Sequence, residues 1–335
     1  MIRKTELFAT TVLLMGMYCG PALGQVPPPT ILLVDIENDV EYQMDISDLS
    51  KIAANPNATP AAPPRNFFPA VVVGDIVAVN GQPAKGVYVA RPVGIGLTPS
   101  PSAGQAIADT TRVSIRYETF EILSNDGTPV GTIMCYGLNG GSTPPGPAFG
   151  GQNFAIVGGT GAYLGARGQK GGQQTPQTIS PRAASAAEDP GNRRQNGGGK
   201  IRAILYVIPM FVPQIVATPS GPAVTHSSDF SLVTASKPAA AGENLSLFLT
   251  GLGPTRPGIA PGAPFPSSPL AVVNSPVNVT VNGSAAEVLS AVGYPGAVDG
   301  YQVNFRMPQD TAKGMTTIQV SAAWIAGAPV SITVQ

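Results

Sequence analysis

Charge, histidine and cysteine are all scarce in this chain. Only 11% of the 335 residues are charged, and 19 basic residues balance 19 acidic ones. With no basic excess there is no electrostatic hold on nucleic acid or on an anionic membrane surface. There is a single histidine, His226, and only two cysteines, Cys19 and Cys135. A zinc site of the His/Cys kind is thereby excluded, and no metal or cofactor is expected. A Ser-His-Asp triad would have to be built on His226, whose surroundings "THSSDF" have the pattern of a strand start or cap. Long helical periodicity is missing as well, because prolines interrupt the candidate windows.

The nucleotide-binding motifs fail on spacing. Gly159-Thr160-Gly161 begins a G-x-G, but residue 164 is Leu and a strand is expected to follow. Gly199-Lys200 lacks both the upstream Gly and the downstream Ser/Thr of a phosphate loop. The acidic residues between 35 and 45 alternate along a strand, which spreads carboxylates along a line instead of wrapping them round a calcium ion; a solvated strand face accounts for them.

What is present is glycine (40), proline (35) and a hydrophobic content of 43%. That mixture fits many short strands joined by tight turns. Residues 1–24 read as a secretory signal: Arg3 and Lys4, an apolar core from Leu7 to Met17, and Ala22-Leu23-Gly24 ahead of Gln25. The apolar stretch is too short to span a bilayer. Tyr18 before Cys19 is too bulky for a lipid-attachment motif, and the alternative reading of residues 1–24 is an anchor left uncut. A secreted protein (extracellular or periplasmic) is expected, with Cys135 as its only remaining cysteine and no internal disulfide.

The strand pattern falls into two sets. In residues 30–46, Val34, Ile36, Val40, Tyr42, Met44 and Ile46 share one parity and Asp35, Glu37, Asp39, Glu41, Gln43 and Asp45 the other, with a turn or bulge at Asn38-Asp39. Asn80-Gly81 and Asp126-Gly127 mark hairpins, and residues 55–66 and 97–108 read as loops. In "NFAIVGGTGAYLGARGQ" an apolar strand runs into a turn at Gly158, Gly159, Thr160 and Gly161, and a second strand leaves with small residues at Ala162, Ala166 and Gly168. Residues 170–199, with "EDPGNRRQNGGGK", read as a long inserted loop whose composition leans to disorder, with at most a helical turn. After residue 218 the alternation restarts: Leu245, Leu247 and Leu249; Val277, Val279 and Val281; Tyr301, Val303, Phe305 and Met307. The lone Trp324 is expected to be core packing.

Two resemblances add to this. The glycine segment, together with "GDIVAVNGQPAKG" in which Asp75 takes the place of a recurring Asp, resembles the plant dirigent proteins and allene oxide cyclases over roughly residues 30–216. That resemblance implies a closed eight-stranded β-barrel with an interior pocket, self-association through the barrel, and either ligand binding or cyclase/isomerase chemistry on an epoxide or reactive intermediate. "LTGLGPTRPG" and "PVNVTVNG" resemble an immunoglobulin-like (IPT/TIG-like) C-terminal β-sandwich of secreted bacterial proteins, which implies cell-surface or matrix contact. The expected organisation is a signal peptide at 1–24, a barrel at 25–218 and a sandwich at 219–335, all-β throughout.

Polar residues on the proposed barrel strands are the candidate site. Glu37 and Asp75 are candidate acids, since a carboxyl group in an apolar lumen has a raised pKa and can give or accept a proton. Tyr88, Arg116, Glu118, Cys135, Tyr136 and Arg167 are candidate ligand-binding residues. Plainer readings stand beside these: an Arg116–Glu118 ladder on the outside of the barrel, Arg167 on loop carbonyls, Cys135 as a small buried hydrophobe. Three functions remain open: binding a small apolar or phenolic ligand, a cyclase/isomerase, and a non-catalytic surface or structural protein.

Overall fold

The computed structural model describes residues 29–45, 67–95, 113–139, 154–173 and 175–335. The expected signal segment and the loops at 55–66 and 97–108 lie outside the described residues. The first domain is an eight-stranded antiparallel barrel: β1 (Thr30–Asp45), β2 (Phe67–Val79), β3 (Lys85–Ile95), β4 (Val113–Leu123), β5 (Pro129–Asn139), β6 (Phe154–Gly161), β7 (Arg167–Gln173) and β8 (Gly199–Ile208). Each strand pairs with the next, and β8 closes on β1 from Thr30↔Val207 to Ile36↔Ile201. Closure leaves no unpaired edge inside the ring. At the lower end the hairpin turn Asn80-Gly81 has positive φ at both residues, as a two-residue turn of this kind requires. Leu32, Val34, Ile36, Ile76, Val79, Phe120, Ile122, Ile133, Leu205 and Val207 fill the lower and middle lumen.

Two local features depart from simple alternation. In β1, Asn38 has φ +51°, and both neighbours shift register around it. One extra residue in a strand turns every following side chain to the opposite face. Before the bulge, Val34 and Ile36 point inward and Glu37 outward. After it, Asp39 turns into the barrel, while Val40 and Tyr42 are buried on the outside, and the Arg182–Ser185 strand pairs parallel to Val40–Gln43 along the edge of β1. The second departure corrects the expected glycine turn. Gly158 to Gly161 belong to β6, and the turn is made by Ala162–Gly165. The glycines are needed because a Cβ at Gly159 would sit 2.3 Å from the Tyr163 carbonyl oxygen, so they give Tyr163 the space to fold back under the barrel.

The insertion is shorter than the sequence suggests, because residues up to 173 belong to β7. From residue 175 it is ordered, against the compositional lean to disorder. It contains the Arg182–Ser185 strand and one short helical turn at Arg193–Asn196, and it is fastened by the Arg182 guanidinium on Glu188 (2.7 and 3.0 Å) and on the Gly197 carbonyl (2.7 Å).

The second domain is also all-β. Its main strands are β9 (Val224–His226), β10 (Asn244–Thr250), β11 (Val277–Val281), β12 (Ser284–Gly293), β13 (Tyr301–Arg306), β14 (Gly314–Ala322) and β15 (Val330–Val334). β12 pairs with β11 through Ser284–Ala286 and with β13 through Glu287–Gly293, so one strand serves both sides of the core. A bridge between Ala239 and Val334 nearly closes the sheet. Leu245, Leu247, Leu249, Val279, Val281, Val303 and Phe305 face its centre, as their alternation predicts. Ile215 already belongs to this core. Among the described residues no helix is long and apolar enough to cross a membrane.

Trp324 packs, as expected, but against the barrel. With Ala323 and Ile325 it joins the barrel's apolar cluster at the lower end; its indole N–H donates to Gln82 Oε1 (2.9 Å), and the Tyr163 hydroxyl donates to the Ala323 carbonyl. Trp324→Ala is expected to lose about 3 kcal/mol of stability or more. The measurement is urea unfolding followed by circular dichroism, since the variant has no tryptophan left to fluoresce.

Candidate functional site

Inward parity on β4 brings Arg116, Glu118, Phe120 and Ile122 to the lumen, and all four are buried. Glu118 is the hub. Tyr88 on β3 donates its hydroxyl to Glu118 Oε1 (2.9 Å), Arg116 Nε lies 3.3 Å from the same oxygen, and Lys170 Nζ on β7 lies 2.9 Å from Oε2. The Lys170 ammonium also stands over the Phe154 ring, 4.9 Å from its centre, and Tyr88 packs on Phe120 with ring centres 5.0 Å apart. Burial works against the Arg116 charge, but Tyr88, Glu118 and Asp39 outweigh it and hold its pKa up; burial and then Glu118 raise that of Tyr88.

Asp39 completes the group. It is wholly buried, and neither of its carboxyl oxygens has a hydrogen-bond partner among the described residues. Room for it comes from Gly74 on β2, where a Cβ would stand 2.5 Å from Ile36 and 3.1 Å from Asp39 Oδ1. Burial raises the Asp39 pKa to about 7; Arg116 and Lys170 pull it down, and Glu118 and Glu41 push it up. A carboxyl group with that pKa holds and releases a proton near neutral pH, which is what a general acid–base group needs.

The sequence candidates divide between the two faces of the wall. Tyr88, Arg116 and Glu118 lie together in the lumen, which sets aside the outer ladder. Cys135 is buried on the inner face of β5, and burial pushes its thiol up to about 12, so it serves as a small hydrophobe. The remaining candidates are on the outside. Glu37 is half-exposed and pairs with Lys200 (2.7 Å). Asp75 lies under the insertion, bound by Arg193, Arg194 and Asn38, and these partners overcome burial to lower its pKa. Neither is the expected lumenal acid, because the bulge gives that place to Asp39. Tyr136 is exposed and packs at a tilt against Tyr117 (ring centres 5.1 Å apart) outside β4 and β5. Arg167 donates to the carbonyls of Val157 and Ala166 (both 2.9 Å), the plainer of its two readings.

Two members of the cluster, Asp39 and Lys170, were not among the candidates. Asp39 sits with the acidic parity in the sequence, and only the bulge at Asn38 re-aims it. Lys170 falls at the edge of the expected loop; extending the alternation Ala166, Gly168 by two residues reaches it. In the second domain, His226 is buried with Nδ1 2.5 Å from Glu243 Oε1 and Nε2 3.3 Å from the Lys237 carbonyl. Both ring nitrogens are occupied, so it is no base for a nucleophile. No group of metal-ligating side chains occurs among the described residues.

No family model, curated protein or solved structure matches this chain. The site is therefore read from its own chemistry.

A raised acid pKa has a definite sign in stability. The unfolded chain loses the Asp39 proton near 3.8 and the folded chain near 7, so the contribution of Asp39 to stability is full below about pH 4 and falls as pH rises to about 7, by on the order of 3–4 kcal/mol. Asp39→Asn removes that fall. Urea unfolding at pH 4.5 and pH 8 is expected to show the variant gaining on the parent at pH 8, with the gap largely closed at the lower pH.

Proposed function

We propose that the barrel holds a small, mainly apolar or phenolic molecule above its packed floor, with an oxygen function of that molecule facing Asp39. One observation carries this: a wholly buried carboxyl group whose two oxygens lack partners among the described residues, beside a cluster of buried charges. An orphaned polar group in a closed core costs about 1–3 kcal/mol, and a chain whose barrel served only as a packed scaffold would lose nothing by an apolar residue there. A ligand that hydrogen-bonds Asp39 removes the cost.

The near-neutral pKa of Asp39 favours a cyclase or isomerase as the second reading. The protonated carboxyl group donates to a ligand oxygen, such as that of an epoxide; bonds within the ligand rearrange; the carboxylate takes a proton back. The product is an isomer of the substrate and no co-reactant is consumed. This second reading likens the chain to the dirigent and allene oxide cyclase barrels that its glycine segment resembles. The same proposal takes the protein to be secreted, with the immunoglobulin-like C-terminal domain as a surface or matrix contact. Self-association through the barrel is supported by the exposed apolar side chains Val89, Val93, Tyr117, Met134 and Tyr136 on its outer face.

The test is native mass spectrometry of the purified full chain, with thermal shift across a panel of apolar, phenolic and epoxide compounds. Retained molecules or a rise in melting temperature are expected, and Asp39→Leu, which keeps the branched shape but has no carboxyl group, is expected to weaken binding about tenfold. Chromatography of bound compounds reports isomerisation, which Asp39→Asn stops. A chain that retains nothing and shifts with no compound would sink the proposal.

A further inference from the structure

We infer that the inserted segment is a positioning strap, in which Arg193 and Arg194 grip Asp75 on the outside of the barrel so that the Asn38 bulge keeps Asp39 aimed into the lumen. This rests on the proposed role of Asp39 as the lumenal acid. The connection is short. Arg194 binds Asp75 through Nε (2.8 Å) and Nη2 (2.9 Å), Arg193 binds its Oδ1, and Asn38 Nδ2 donates to its Oδ2 (3.0 Å). Asp75 thus joins the strap to the side chain of the bulged residue, and the next residue along is Asp39. The strap backbone presses on the same place: a Cβ at Gly198 would lie 2.4 Å from the Asn38 carbonyl carbon and 2.7 Å from the Asp39 nitrogen. Gly199 pairs with Asp39, and Arg182–Ser185 pairs with Val40–Gln43 just beyond. The strap therefore braces β1 at, and just beyond, the point where its inward and outward faces exchange.

A non-glycine residue in the left-handed region is unfavourable in isolation and persists where its surroundings fix it. Without the grip on Asp75, the bulge is free to slip, and a slip by one residue carries Asp39 from the lumen to the outer face. The charged and titratable groups around Asp39 are Tyr88 on β3, Arg116 and Glu118 on β4, Lys170 on β7 and Glu41 further along β1; β2 faces it with Gly74. None of them belongs to the strap, so the strap acts on Asp39 through the backbone alone.

The experiment follows the Asp39 carboxyl carbon by NMR in the full chain labelled at aspartate, assigned by comparison with Asp39→Asn. In the parent a titration near neutral pH is expected. If the parent shows none, the lumenal-acid reading fails whatever the strap does. Given that titration, Asp75→Asn and the double variant Arg193→Ala/Arg194→Ala are expected to move its midpoint down by about one pH unit or more as the group gains water. They should also speed amide exchange at Asp39 and Val40 about tenfold, while Arg182→Ala, which loosens the strap away from Asp75, moves the midpoint less. Arg194→Lys is expected to restore part of the effect. Should Asp75→Asn not fold, the comparison is made on Arg194→Ala alone, whose side chain is 67% exposed. Folded variants in which Asp39 titrates and exchanges as in the parent overturn the inference.

Discussion

Charges inside a closed barrel are tolerable only in each other's company, and that constraint organises the first domain. Removing an ion from water costs several kcal/mol even after relaxation. Glu118 meets this by receiving Tyr88, Arg116 and Lys170 from three strands. An up-and-down barrel makes such a meeting possible, since alternate residues on every strand converge on one axis. The rest of the lumen follows from it. Below the cluster the walls are aliphatic and aromatic and pack tightly, and the polar groups are confined to one level. Asp39 stands at that level with no hydrogen-bonding partner among the described residues, and burial raises its pKa to about 7.

The bulge at Asn38 gives β1 two buried faces in succession. Its first half buries Leu32, Val34 and Ile36 inside the barrel; its second half buries Val40 and Tyr42 outside, under the strap. An outer surface that buries side chains as large as Tyr42 needs a cover, and the inserted segment brings Glu188, Arg193 and Arg182 around it. The insertion and the bulge are thus parts of one solution: the bulge exposes apolar residues on the outside, and the strap covers them while its arginines neutralise Asp75.

Much of this was legible in the residues. Leu245, Leu247 and Leu249 face the second core as their spacing requires, Asn80-Gly81 makes its hairpin, and Arg116 and Glu118 share a face because they are two apart on one strand. The illegible parts have physical causes. Parity assigns Asp39 and Glu37 to one face, and only the three-dimensional pairing of β1 with β2 and β8 shows where the count breaks. The resemblance of "GDIVAVNG" drew attention to Asp75, yet its carboxylate meets arginines 118 and 119 residues away, partners no local pattern connects. Glycine and charge in residues 170–199 read as disorder, because composition does not reveal that Gly198 has to be glycine to lie on the bulge. Trp324 read correctly as packing, but its partners are Gln82 and the barrel's lower cluster, 242 residues distant for the hydrogen bond.

That last contact bears on how the proposed ligand reaches Asp39. The lower end of the barrel is occupied by Tyr163 and by the Ala323–Ile325 turn of the second domain. For the proposed molecule this leaves the opposite end, where β1 finishes at Asp45 and β2 begins at Phe67. Descending from there, it meets Glu41, hydrogen-bonded by Gln43 (2.8 Å), before the cluster. It goes no further than the cluster, because Phe120, Ile122 and Ile133 fill the space beneath. Such a molecule enters with its oxygen leading and its apolar body behind. A pure hydrocarbon of the same shape would leave the Asp39 oxygens without a partner, and a site with buried polar groups left unpaired discriminates far more strongly than one that must tell a methylene from its absence. On the proposed reading, the depth of the polar level, fixed by the bulge and the packed floor below it, sets which end of the molecule faces Asp39.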